Sequence, residues 1–166
     1  MVSLAVMQQP TYNKQTNTNV NIDVKVKDKI LKPINEVFDA IINPEKLSNF
    51  FISRASGPVK VGETITWHFD DVGGQLSVIV KSVKDNELIT FDWAASGIKA
   101  QVDIVFTVID SNSTSVTITE KSFQFDEEGL SKALQQTQGW TDFICSMKAF
   151  LYCGINLRNG RTKSSY

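Results

Sequence analysis

From Phe50 to Lys121 the chain alternates apolar and polar side chains in one short segment after another, and a single long helical pattern follows. A segment with apolar residues at every second position buries one face only. "ETITWHF" sets Ile65, Trp67 and Phe69 against Thr64, Thr66 and His68, and "QLSVIVKSV" offers Leu76, Val78 and Val80. "LITFDW" offers Ile89, Phe91 and Trp93, "QVDIVFTVI" offers Val102, Ile104, Phe106 and Val108, and "TSVTITEK" offers Val116, Ile118 and then Glu120. A first run, "FFISRAS", ends at Gly57-Pro58. The links "DDVGG", "KDN", "AASGIK" and "DSNS" are short and rich in turn residues, which predicts antiparallel hairpins.

Two further regions frame this series. "NVNIDVKVKDKI" alternates Val20, Ile22, Val24 and Val26 against Asp23, Lys25 and Lys27, a half-buried first strand. "KPINEVFDAII" changes period: Pro33 stands at a favoured helix start, and Ile34, Val37, Phe38 and Ile41 recur at helical spacing. In "NPEKLSNFF", Asn43 is placed to cap a second short helix with Pro44 at its first position and Glu45 in its first turn. Near the C-terminus, Trp140, Phe143, Ile144, Met147, Leu151 and Ile155 form an apolar stripe, with Asp142, Ser146, Ala149 and Asn156 opposite. About 19 residues at 1.5 Å each predict a helix of roughly 28 Å. "EEGLSKALQQTQ" reads as a helical lead-in separated from it by Gly139, and Gly154 falls on the inward stripe.

An antiparallel sheet of six to seven strands must cover its apolar face, and one helix is only about 10–12 Å wide. The sheet therefore has to curl around the helix, and a space can remain between them. The expected fold class is α+β: a curved antiparallel sheet wrapped around a long C-terminal helix, with two short helices after the first strand. Residues 20–158 form this single domain, residues 1–19 a polar N-terminal extension and residues 159–166 a basic, solvated tail. Trp67, Phe69, Phe91, Trp93 and Phe106 from the sheet, with Trp140, Phe143 and Met147 from the helix, are expected to line an aromatic-rich cavity. The bland alternative is a filled core made of the same residues.

Charge and cysteine usage narrow the function classes. The 17 basic and 18 acidic side chains nearly cancel without a basic stripe, which argues against nucleic-acid binding. No apolar run approaches the roughly 20 residues that span a bilayer. "MVSLAVMQQP" lacks a basic residue before its apolar run and makes a poor signal peptide, so a cytoplasmic location is expected. "NST" at Asn112–Thr114 then reads as a polar hairpin turn. Cys145 and Cys153 lie eight positions apart on the predicted helix, about 12 Å of rise, too far for a disulfide. "DDVGGQ" is a hairpin turn, since it lacks the glycine spacing of a phosphate loop.

Two residues are candidates for chemistry. His68, the only histidine, alternates with Trp67 and Phe69 and so points away from the cavity, with no partners for a triad or a metal site. No metal and no cofactor are expected. Glu120 continues the inward parity of Val116 and Ile118. A carboxyl among apolar groups has a raised pKa and can serve as an acid or as an anchor for a polar ligand tip. Phe123 and Phe125 have the opposite parity, so a bulge must interrupt the strand, and its place decides whether Glu120 faces in or out. No second inward titratable group accompanies it, which favours binding over acid–base catalysis.

"VFDAIINPEKLSNFF", "GPVKVGETITWHF", "VKSVKDNELITFDW", "VTITEKSF" and "GWTDFICSMKAFLYCGINLR" together resemble the SRPBCC/START-like helix-grip superfamily, in the branch related to the activator of heat-shock protein 90 ATPase. The resemblance covers residues 20–158. It implies the helix-grip fold; it implies no shared catalytic motif. Relatives in the superfamily bind lipids, hormones and polyketides, and some cyclise aromatic precursors. One departure is that Phe50-Phe51 stand where this branch commonly has Trp, at the mouth of the pocket. The expected function is a non-enzymatic binding domain for a small apolar or amphipathic molecule. The alternatives are a chaperone-associated interaction module and a cyclase- or hydratase-type enzyme using Glu120.

Overall fold

The structure, a computed structural model, describes residues 20–161. The expectations for residues 1–19 and for residues 162–166 fall outside that range. The elements run β1 (Asn21–Ile30), α1 (Ile34–Ile42), α2 (Pro44–Leu47), β2 (Arg54–Ala55), β3 (Thr64–Phe69), β4 (Gly74–Lys84), β5 (Leu88–Trp93), β6 (Ala100–Asp110), β7 (Ser113–Gln124) and α3 (Glu127–Cys153). One seven-stranded sheet has the order β1-β7-β6-β5-β4-β3-β2, with antiparallel neighbours throughout. β1 and β2 are therefore opposite edges, and α1 and α2 carry the chain between them. This is the helix-grip architecture, α+β, that the sequence predicts.

Local chemistry accounts for the connections. Asn43 caps α2, its side chain accepting the Glu45 backbone N–H at 2.9 Å. β2 pairs through only two residues, but the Ser53 and Ser56 hydroxyls accept the backbone N–H groups of Asp70 and Thr66 at 2.8 and 2.9 Å. Side chains thus continue a pairing that Gly57-Pro58 cuts short. Two slips in pairing, between Val80 and Ser82 on β4 and between Glu120 and Phe123 on β7, bend the sheet.

Helix α3 departs from the sequence reading. It is one unbroken helix of 27 residues, about 40 Å long, with Gly139 inside it. A glycine costs a helix only about 1 kcal/mol relative to alanine, and the buried Ala133 and Trp140 on either side hold the helix to the sheet. Asp126 caps its start, accepting the Gly129 N–H at 2.7 Å. Gly154 ends it in a left-handed conformation, φ 66°, which a residue with a Cβ adopts at a cost. Gly154 is thus an exposed cap, not part of the inward stripe, and Ile155 beyond it is exposed. Ser146, expected on the outer side, is fully buried. Val108, expected inward, is exposed beside the β6–β7 turn, where pairing slips between Val108 and Asp110.

Arg161, the one residue of the expected tail with a charged side chain that is described, is not free in solvent. Its guanidinium grips Asp142 on α3 with two bonds of 2.8 Å, and that hydrogen bonding holds the Asp142 carboxyl below its ordinary pKa.

Candidate functional site: an aromatic chamber and a buried carboxylate

The concave face of the sheet and the inner face of α3 enclose an aromatic-rich interior. Alternation on β3 and β5 aims Trp67, Phe91 and Trp93 inward, and all three are buried. They form a perpendicular array, with ring centroids 5.4 Å apart for Trp67–Phe91, 6.3 Å for Trp67–Trp93 and 5.6 Å for Phe91–Trp93. α3 presents Trp140 and Phe143, 5.5 Å apart, and the buried Met147 one turn on. The two walls touch directly where Trp93 meets Trp140, at 5.0 Å.

The second bridge between the walls comes from the pair expected at the mouth of the pocket, in a run read as a strand of which only Arg54–Ala55 pairs. Phe51, in the irregular segment between α2 and β2, touches Trp67 and Phe69 on one wall at 5.6 and 5.5 Å. It touches Trp140 and Phe143 on the other at 6.1 and 4.7 Å. Its neighbour Phe50 packs on Phe143 and Phe150. The chamber is filled by these rings in mutual contact. Phe51 is also the most exposed member of the buried core, at 9%. Phe106 stands apart from the array: α1 covers it through Phe38, 5.3 Å away and edge-on.

Glu120 is completely buried at the inward end of this interior. The β7 bulge comes after it: Val24 pairs with Glu120 and Ile22 with Phe123, so three steps on β7 face two on β1. Glu120 and Phe123 therefore both point inward, and Phe125 ends up exposed. The Trp93 indole N–H donates to Glu120 Oε1 at 2.9 Å, and the Trp140 N–H to Oε2 at 2.7 Å. The inward residues of β6 between Trp93 and Glu120 are Ala100 and Val102, small enough for an indole to reach across. Gln136 on α3 completes the set. With its oxygen accepting the Ser96 N–H at 3.2 Å, its amide nitrogen donates to Oε2 at 3.3 Å.

The carboxylate thus ties β5 and α3 to β7 through N–H donors, and none of these partners carries a charge. Burial raises its pKa, while the Trp140 and Trp93 bonds pull the other way and lose. The third indole has no such partner among the described residues: Trp67 Nε1 is buried without an acceptor there. The signal for the Trp–Glu pairing was present in the sequence, since a buried indole N–H needs an acceptor and Glu120 is the inward carboxyl. Gln136 gave no comparable signal, and Phe51 gave only its place at the pocket mouth.

The remaining candidate lies elsewhere. His68 is half-buried on the outer face, paired with Arg54 across β2 and β3. Phe69 is half-buried at the rim, where the Arg158 guanidinium lies 5.7 Å above its ring and also bonds Asp71. The segment after α3 is thereby fastened to the β3–β4 hairpin beside Phe51. Cys145 and Cys153 are free and exposed. Among the described residues, no three His, Cys, Asp or Glu are grouped to hold a metal, and no helix is long and apolar enough to cross a membrane.

Comparison with known proteins places this geometry in a family. The protein SSP2350 of Staphylococcus saprophyticus shares 31% identity, with a TM-score of 0.73 over 82% of this chain and 96% of its own. DynU16, a protein of the dynemicin biosynthetic locus, shares 23%, with a TM-score of 0.71 over 80% of this chain and 48% of its own. The Aha1 dimer of Colwellia psychrerythraea shares 20%, with a TM-score of 0.68 over 80% of this chain and 98% of its own. The last two bear on the fold alone. No curated protein matches the chain. Residues 32–152, well over half of the sequence, match the family described as activator of Hsp90 ATPase homolog 1-like protein, and the chain belongs to that family.

Proposed function

We propose that this protein is a non-enzymatic cytoplasmic binding domain that takes a small apolar or amphipathic molecule between the sheet and α3. One observation carries the reading. The ring that joins the two walls, Phe51, is held by a turn and not by the sheet or the helix. A ligand can replace that ring while the Trp93–Glu120–Trp140 tie keeps the walls in place. Trp67, Phe69, Phe91, Trp93, Trp140, Phe143 and Met147 would then line the ligand's apolar body. A carboxylate offers about four acceptor positions. Two or three of those on Glu120 are used, which leaves at least one for a donor on the ligand.

Native mass spectrometry of freshly purified protein, followed by denaturation and analysis of what is released, tests the reading. A discrete adduct supports it and names the ligand class. No adduct, together with tryptophan emission that does not respond to millimolar ethylbenzene, overturns it. Turnover of a released ligand that disappears in Glu120→Gln would make the protein an enzyme of the cyclase or hydratase type.

A second reading, a chaperone-associated module, draws on the family and on exposed apolar residues where α3 begins. Phe125, Leu130 and Leu134 are 71%, 46% and 63% exposed. It predicts stimulation of a chaperone ATPase that is lost when these three are made polar.

A further inference from the structure

We infer that the ligand of this chamber carries an oxygen acceptor next to a ring or compact hydrocarbon body, and that the Trp67 indole N–H is the group that reads it. The inference rests on the binding reading above and adds the chemical class.

The three tryptophans of the chamber are not equivalent. All are buried, at 2% exposure for Trp67 and Trp140 and 6% for Trp93. Two of the three give their N–H to the same carboxylate. Trp67 Nε1 is shut off from solvent and meets no acceptor among the described residues. An unmet donor carries its whole desolvation cost, and a phenylalanine would supply ring area at this position without that cost. Ser146 Oγ is the other buried polar atom without a partner among the described residues. Its hydroxyl can rotate toward a backbone carbonyl one turn back on its own helix. The indole N–H has no such freedom, because its direction is fixed by the ring.

The neighbourhood says what an acceptor would be attached to. Trp67 is packed by Phe51, Phe91 and Trp93, all close to perpendicular to it, at 86°, 69° and 83°. Of these, Phe51 is the ring carried by a turn. When it moves aside, the space it leaves beside Trp67 is one phenyl ring in size, bounded by Phe69, Trp140 and Phe143. On this assignment, a ring bearing a carbonyl, ether or hydroxyl oxygen would fill that space with its oxygen turned to the N–H. A hydrocarbon of the same shape fills it and leaves the donor unmet.

The test uses acetophenone and ethylbenzene, which differ in shape by little more than the carbonyl oxygen. Calorimetric titration of each into the wild-type protein and into Trp67→Phe gives four affinities. The variant changes the chamber wall for both probes, so the reading is their ratio: acetophenone affinity relative to ethylbenzene should fall about three- to tenfold in the variant. Equal losses for the two probes, or none for either, overturn the assignment of Trp67 and leave the apolar chamber standing. If neither probe binds the wild-type protein, the binding reading itself falls. Should Trp67→Phe fold poorly, the indole 15N–1H resonances of the wild-type protein decide. Acetophenone should shift one of the three indole signals downfield where ethylbenzene does not; identical shifts with both probes would overturn the inference.

Discussion

Replacing Glu120 by glutamine keeps the shape of the side chain and removes its charge, which makes the pH dependence of stability a direct reading of the buried site. Burial holds the Glu120 carboxyl above its ordinary value of 4.5, against the opposing pull of the Trp140 and Trp93 hydrogen bonds. Between 4.5 and the raised folded value, the native state keeps a proton that the unfolded chain has released. Raising the pH through that window therefore destabilises the wild-type fold. The contribution is fully present below 4.5 and is lost as the pH climbs through the folded value. At acid pH both oxygens of the neutral acid still accept from the indoles. The glutamine offers one oxygen, and its NH2 faces the other indole donor, a mismatch of about 1–3 kcal/mol. Wild type should therefore exceed Glu120→Gln by about that amount near pH 4. The gap should narrow as pH rises, by about 1.4 kcal/mol for each unit of pKa displacement. Outer carboxylates do not confuse the comparison. Burial alone would raise Asp103, but bonds from Lys121, Thr90 and Gln101 hold it low, and the Ser113 bond holds Asp110 low. Both groups act in the opposite sense and are common to the two proteins, so they cancel in the difference. Urea unfolding followed by circular dichroism at unit steps from pH 4 to 8 measures the gap. A gap that stays flat or widens with pH would refute the argument, because the indole donors would then outweigh burial and Glu120 would be a stabilised anion.

Phe51→Ala removes the ring that bridges the walls. It should destabilise by about 3 kcal/mol, the low end for a phenylalanine truncation because a turn can settle, and it should tighten ethylbenzene binding. Denaturant midpoints and calorimetry check the two halves. Arg158→Ala and Asp71→Asn should each cost about 1–2 kcal/mol, between the values for exposed and buried pairs, since both side chains are only 14% and 13% exposed. The double variant should cost little more than either alone, which a double-mutant cycle reads. Two glycines of α3 should respond with opposite signs in thermal melts. A Cβ on Gly129 would lie 2.1 Å from the Gln124 carbonyl oxygen, so Gly129→Ala should lose about 3 kcal/mol or more. A Cβ on Gly139 meets nothing within 4 Å, so Gly139→Ala should gain about 0.5–1 kcal/mol.

Those two glycines also show where the sequence was legible and where it was not. Alternation is a local property, and it placed Ile65, Trp67, Val78, Val80, Ile89, Phe91 and Trp93 on the buried face as the structure has them. The curl of the sheet followed from the width of one helix against seven strands. Helix length did not follow, because it depends on a balance. A Gly139 penalty near 1 kcal/mol is outweighed by packing on both sides, and periodicity does not weigh packing. Gly129 sits in the first turn because the chain folds back onto the Gln124 carbonyl, a contact that helical periodicity does not report. Val108 and Ser146 were misplaced for a related reason. Parity says which way a side chain points, while cover depends on what lies opposite.

The site divides along the same line. Glu120 was singled out by parity, but its direction turned on the place of a bulge. That place is set by pairing with β1 nearly a hundred residues away, where Ile22 takes Phe123 and Val24 takes Glu120. Had the slip fallen one pair earlier, the carboxyl would have faced out, and Trp93 and Trp140 would have had no acceptor. The two indoles and the bulge therefore constrain each other: buried N–H donors on β5 and α3 require an inward acceptor on β7. That requirement could have been read from three tryptophans and one inward carboxyl. It could not have shown that Phe51 bridges the walls: "FFISRAS" reads as a strand, yet only Arg54–Ala55 pairs, and Phe51 lies in a turn before it and gains its position from four rings on two other elements. A residue placed by its neighbours and not by its own element is one that can leave without unravelling that element. The turn that hid this bridging role from the sequence is thus the property that suits Phe51 to give way to a ligand.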